Sequence, residues 1–215
     1  MYPITIVDNF LDDPDKIVDF AMKQEFYPNT GSWPGSRTKQ ISELDLSLYD
    51  YLCVKILSLF HSEVDSWDFE MSFQLITPYS KRQHDPKNRG WIHTDRGGPS
   101  FAGIIYLNKN PEIDTGTSIY KQKNGWSTQF FSSLTVKERF YRGEEISDEE
   151  YNDGWNLLNS QYEETIAVEN IYNRMLLFNC NTYHGAKTFG KNQDRLTLPF
   201  FCRSANTRSQ PPFYK

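Results

Sequence analysis

The feature that most narrows the fold is a change of period near residue 67. Before it the apolar residues recur at helical steps. After it they fall in short alternating runs rich in strand formers. WDFEMSFQLITPY (67–79), SFAGIIYLNKN (100–110), GTSIYKQ (116–122) and RLTLPFFCRS (195–204) read as strands. ENIYNRMLLFNCNTYHG (169–185) reads as two short strands around a turn near Asn173, and WIHTD (91–95) as a short strand end after the polar loop 80–90. Seven or so short strands hide their apolar faces by pairing and stacking. The expected core is therefore an antiparallel double sheet of jelly-roll type.

The earlier segments supply support. PITIV (3–7) reads as a strand. Asp12 or Asp13 can cap a helix with Pro14 at its first position and Ile17, Val18, Ala21 and Met22 on its apolar face. LDLSLYDYLCVKILSLFH (44–61) is a second amphipathic helix, and both are expected to pack on one sheet. Ser147 and Glu150 form a capping box, so 127–165 reads as a mostly helical insertion, a lid or an oligomer contact. The expectation is a single domain over 1–215. It has a helical support (1–66), a β-core (67–126 and 166–204) and the insertion between the two core segments.

Composition excludes some classes. The net charge of -5 and pI near 5.4 do not suggest a general grip on nucleic acid. No apolar run approaches the ~20 residues of a membrane span, and MYPITIVDNF has no signal-peptide core. Cys53, Cys180 and Cys202 are an odd, scattered set, read as free thiols of a cytoplasmic protein.

The chemistry starts at WIHTDRGG (91–98). His93 and Asp95 are two apart, so on a strand they share a face. Alone, the pair is a weak signal. His184, at the far end of the strand region, completes two imidazoles and a carboxylate. That donor set holds Fe(II) and leaves positions open for a chelating cosubstrate and O2. Arg195 follows eleven residues after His184, and Thr197 shares its strand face. A guanidinium with a hydroxyl beside it suits the distal carboxylate of a dicarboxylic acid.

HTD, IIYLNK, GTSIY, MLLFNCNTYHGA and RLTLPFF together resemble the 2-oxoglutarate/Fe(II)-dependent dioxygenases, especially the prolyl 4-hydroxylase-like branch. IVDNFLDDPDKI looks like that branch's entry strand and helix. The resemblance implies a double-stranded β-helix, the jelly-roll or cupin-like core, mainly β with flanking helices. It implies His93, Asp95 and His184 as iron ligands, and Arg195 with Thr197 as the 2-oxoglutarate anchor. Members often add a tyrosine on the strand after H-x-D. The aligned position here is Ile105, with Tyr106 beside it on the opposite face, so Tyr79, Tyr106 and Thr197 are the candidates. Asp95 is acidic, as in hydroxylating members, which disfavours halogenation. The implied activity is hydroxylation of a small-molecule, amino-acid or peptide substrate, with Fe(II), 2-oxoglutarate and O2 consumed to succinate and CO2. The alternatives are a non-catalytic metal-binding β-barrel that binds a ligand, and a zinc hydrolase, which would lack an obvious general base. A fourth protein ligand would favour the binding module.

Other polar residues read more plainly. His61 reads as a helix-end residue and His84 as part of a solvated loop. Arg203 reads as a surface ion pair before a second anion contact. SWPGSRT (32–38) reads as a surface turn, or as a loop over the site mouth that brings Arg37 to the substrate. Arg96, directly after Asp95, is the other candidate substrate contact. Asn179 and Asn181 either support the metal ligands or end the strand.

Overall fold

In the computed structural model the residues described are 2–29, 33–82, 85–95, 100–123 and 130–208, without the side chains of 130–134. Two antiparallel sheets form the centre. The strands of the larger are β1 (Thr5–Val7), β2 (Tyr27–Pro28), β3 (Ser36–Arg37), β4 (Val64–Met71), β5 (Gln74–Ile76), β6 (Phe101–Tyr106), β9 (Met175–Asn179) and β11 (Arg195–Thr207). Their order is β1-β9-β6-β11-β5-β3-β2, with β4 beside the C-terminal part of β11. The smaller sheet has the order β10 (Tyr183–Ala186), β7 (Thr117–Gln122), β8 (Tyr162–Val168).

Strand alternation sorts the side chains into two layers. On β11, Leu196, Leu198, Phe200 and Cys202 face outward, toward α1 (Pro14–Ala21) and α3 (Leu46–Leu57). There they bury Ile17, Ala21, Leu52, Ile56 and Leu57 together with Phe69, Phe101, Ile105 and Leu177. Between the sheets lie Ala102, Tyr106, Ile119, Val168, Leu176 and Phe178. The expected helices are thus on one outer face. Asp13 caps α1 by accepting from Lys16 N at 3.1 Å, with Pro14 in the first turn. The second helix is broken by extended Asp45, which ends a single turn, α2 (Ile41–Leu44), and caps α3 through Leu48 N.

Three boundaries differ from the sequence expectation. The run 67–79 is not continuous. Residues 72–73 leave β11, and Phe73 exchanges bonds with Thr38, its N–H donating to Thr38 Oγ1 and its carbonyl accepting from Thr38 N. Second, the turn at Asn173 (φ 63) lies before β9, and the turn between β9 and β10 is at 180–182. Asn173 also ties the entry segment to the sheet, accepting from Leu11 N at 2.7 Å and donating to Leu11 O at 2.9 Å. Third, the insertion is shorter than 127–165. Its helices are α4 (Phe130–Tyr141) and α5 (Asp148–Asn159), and residues 162–168 return as β8. Glu163 and Glu164 on that strand are exposed, so the run lacks the alternation that would reveal it. Ser147 caps α5 by accepting from Glu150 N at 3.1 Å. None of the described helices is long and apolar enough to cross a membrane.

Candidate active site

His93 and His184 face each other across a single antiparallel bridge. His93 N donates to His184 O at 3.0 Å and His184 N to His93 O at 2.9 Å. Such a pair carries both side chains on one side of the sheet, and the rings lie 4.3 Å apart. Asp95 N donates to Cys180 O at 3.0 Å, which holds the residue two positions on against the turn before β10. His93 Nε2 lies 3.7 Å from one Asp95 oxygen and His184 Nε2 3.5 Å from the other. The three donor atoms all fall within 4.8 Å of one another.

This arrangement fits a metal ion. Two donors each about 2.1 Å from one ion and at right angles stand about 3 Å apart, so a small inward movement closes the set. The imidazoles are already oriented. Nδ1 of His93 is 2.8 Å from Trp91 O and Nδ1 of His184 is 3.0 Å from Thr182 O. Each Nδ1–H therefore donates to a carbonyl, and each Nε2 keeps its lone pair for the ion. Desolvation in the cavity, with His184, Lys137 and Arg37 nearby, shifts His93 below the usual imidazole range. The Phe178 ring packs 4.3 Å from that of His184. Among the described residues no fourth acid, His or Cys joins the cluster.

His93, Asp95 and His184 open onto a cavity of about 120 Å³ between the sheets. Arg195 lines it from the start of β11. It is 3% exposed, its Nε donates to Thr115 O at 2.8 Å, and its Nη2 has no partner. No carboxylate among the described residues pairs with it, and burial lowers its affinity for its proton. Thr197 Oγ1 and Tyr106 Oη are likewise buried without a hydrogen-bond partner. The Arg195 guanidinium lies 5.6 Å from the centre of the Tyr106 ring. The pleat of β6 turns Ile105 to the helices and Tyr106 inward, so the residue one past the aligned position lies on the side of Arg195. Tyr79 does not line the cavity. Its ring packs on Phe140, Tyr141 and Phe189, and its hydroxyl accepts from Gly35 N at 3.1 Å.

Arg37 reaches the cavity from β3, so its segment is more than a surface turn. Its guanidinium lies 4.6 Å from the Trp33 ring centre and 5.9 Å from that of Phe201. Arg96 and His84 lie outside the described residues. Arg203 pairs with Glu70 through two bonds of 2.9 and 2.7 Å, the surface ion pair expected. His61 is buried beside Tyr2. Asn179 Oδ1 accepts from Asn181 N at 3.1 Å, which shapes the turn before His184. Trp33, from the same segment as Arg37, lines the cavity too, and among the lining residues that went unread in the sequence are Lys137 and Tyr141. Lys137 and Tyr141 come from α4, so the insertion forms part of the cavity wall.

The model of a family of unknown function (DUF6445) matches residues 1–197. No curated protein matches the chain. Among solved structures it resembles a prolyl hydroxylase from Trichoplax adhaerens in complex with a hypoxia inducible factor peptide fragment. The identity is 12%, the coverage 93% of this chain and 83% of that one, and the TM-score 0.56. It also resembles HygX from Streptomyces hygroscopicus with nickel and 2-oxoglutarate bound, at 12% identity, 99% and 84% coverage and TM-score 0.55. SnoN, a non-heme alpha ketoglutarate dependent epimerase from nogalamycin biosynthesis, matches at 10% identity, 99% and 86% coverage and TM-score 0.51. The fold is that of the 2-oxoglutarate/Fe(II) oxygenases.

Proposed function

We propose that this chain, which belongs to the family of unknown function DUF6445, is an Fe(II)- and 2-oxoglutarate-dependent oxygenase that hydroxylates a C–H bond. The core is read as a double-stranded β-helix. The observation that carries the reading is the buried, unpaired guanidinium of Arg195, in the same cavity as the His93, Asp95 and His184 cluster. A buried cation without a counter-charge is costly. A dicarboxylate with one end on Arg195 and the other at the cluster supplies the missing charge.

Each residue then has a task. His93, Asp95 and His184 hold the ion, and the carbonyls of Trp91 and Thr182 fix the imidazoles. Arg195 binds the far carboxylate of 2-oxoglutarate, with the unpartnered hydroxyls of Thr197 and Tyr106 beside it. Trp91, Tyr141, Phe178 and Phe189 exclude water from the cavity. Bound there, Fe(II) with 2-oxoglutarate and O2 supplies the oxidising power, and succinate and CO2 are released. Asp95 fills the third ligand position with a carboxylate, which favours hydroxylation over halogenation. The prolyl hydroxylase is in complex with a peptide fragment, whereas HygX is also known with hygromycin B bound, so the substrate class has to come from this cavity.

Formation of succinate from 2-oxoglutarate, with or without a second substrate, is expected to need added Fe(II) and to be lost in Asp95→Ala and His184→Ala. Turnover that is indifferent to iron, or that survives in both variants, would overturn the reading.

A further inference from the structure

The inner cavity carries more positive charge than the oxygenase reading uses. Arg37, Lys137 and Arg195 line it, and Asp95 is the one carboxylate among its described lining residues. Asp95 belongs with the ion. Arg195 and the ion together match the two charges of 2-oxoglutarate and the one of Asp95. The charges of Arg37 and Lys137 are left without an answer.

Both groups are aimed rather than merely exposed. Lys137 is 8% exposed on α4, and no carboxylate of the described residues lies within ion-pair distance of it. Arg37 is held between the rings of Trp33 and Phe201, and its Nε is buried without a partner. The indole Nε1 of Trp33 is buried without a partner as well. Glu70, which might have answered Arg37, is committed to Arg203. Burial accordingly lowers Arg37 to about 10 against some support from Asp95 and Glu70, and lowers Lys137 as well. Three donors from two separate elements thus converge on one cavity with no acceptor for them. Unpaired donors of this kind are paired when the right ligand arrives.

We propose that the primary substrate carries an oxyanion, a carboxylate or a phosphate, which Arg37, Lys137 and Trp33 Nε1 bind beside the metal ligands. The inference rests on the oxygenase reading for what occupies Arg195. Within this cavity Arg37 and Lys137 meet the anionic end of such a substrate. The cations then do more than bind. They set which end of the molecule enters, and so which C–H bond lies near the ion.

The test uses the full chain loaded with Ni(II) and 2-oxoglutarate, titrated calorimetrically with inorganic phosphate, with acetate and with methylammonium. Saturable binding of phosphate or acetate, and none of methylammonium, is expected; which anion binds tighter distinguishes the two sources. Arg37→Gln and Lys137→Met should each weaken the anion at least tenfold. The charge-keeping Arg37→Lys and Lys137→Arg should retain most of the affinity, which guards against misfolding as the cause. An absence of anion binding, or binding unchanged in both neutral variants, would overturn the proposal. If nickel or 2-oxoglutarate does not bind, the oxygenase reading fails instead. The anion titration is then repeated on metal-free Arg195→Gln, where binding through Arg37 and Lys137 still registers.

Discussion

Replacing Arg195 by methionine separates what the guanidinium does with a ligand from what it does without one. In the ligand-free protein it makes one hydrogen bond, to Thr115 O, and leaves Nη2 unpaired. Losing that bond, whose donor is charged, costs about 1.5 kcal/mol or more. Removing a buried, unpaired cation relieves a penalty of opposite sign. The ligand-free Arg195→Met protein should therefore lie within about 1 kcal/mol of the original, a shift of about 2–4 °C in Tm at this chain length. With 2-oxoglutarate the balance changes. A charge-assisted hydrogen bond contributes about 1.5–3 kcal/mol, so losing a forked pair costs about 3 kcal/mol or more. That weakens binding by over about a hundredfold. Calorimetric titration of 2-oxoglutarate into the nickel-loaded protein measures this directly. Melting curves give a second reading. At a hundred times its Kd the cosubstrate stabilises the original protein by about 2.7 kcal/mol, and the same concentration should barely move the variant. Cosubstrate affinity within about threefold of the original in Arg195→Met would refute the assignment of Arg195 as the anchor.

Two further perturbations probe the scaffold. An added Cβ on Gly90 would stand 2.6 Å from Ala186 N and 2.7 Å from Ala186 O, backbone atoms that cannot step aside. Gly90→Ala should push the 90–93 segment off β10 and weaken nickel binding about tenfold or more, with far-ultraviolet circular dichroism little changed; unaltered metal affinity would show that the segment is not held there. The Glu112 carboxylate accepts from the backbone N–H groups of Lys191, Asn192 and Gln193, in the loop that leads to Arg195. Burial raises it, but these donors outweigh burial and leave it below its ordinary value of 4.5. Its contribution is therefore complete above pH 4.5 and lost as pH falls through the lowered value. Protease cleavage in 187–194 should rise over that acid range, whereas Glu112→Gln should be cut readily at every pH.

Much of the framework was legible because it rests on local periodicity. The alternation in RLTLPFF places Arg195 and Thr197 on one face and Leu196, Leu198 and Phe200 on the other, as the sheet does. Asp13 and Pro14 start α1 by local rules. What stayed hidden depends on pleat phase or distant packing. Tyr106 faces inward because β6 pairs with β11 in a register that sets Tyr106 opposite Thr197, which no pattern within IIYLN reveals. Strand β8 has only its two end residues buried, so its exposed middle mimics a helix or loop. Lys137 sits in FFSSLTVKERFY as one cation among several polar residues. Only the packing of α4 over the cavity marks it.

The same distinction explains how His93 is held at all. A strand end with a single bridging residue has too few ladder bonds to fix a side chain to the precision a metal needs. The segment 85–95 is instead gripped from two sides. On one side Gly90 N donates to Ala186 O at 2.9 Å, and the His93–His184 pair exchanges both bonds. On the other, Trp91 Nε1 donates to Tyr151 Oη at 3.1 Å and Ile92 N to Asn159 Oδ1 at 3.2 Å, while Lys87 pairs with Asp148. All of these second partners belong to α5. The inserted helices therefore do two things at once: α4 carries Lys137 and Tyr141 to the cavity, and α5 clamps the segment that carries His93. A displacement of the helical pair would disturb the metal ligands and the cation pair together. Metal affinity and anion affinity should thus fall in step when the α5 contacts are cut, as in Tyr151→Ala.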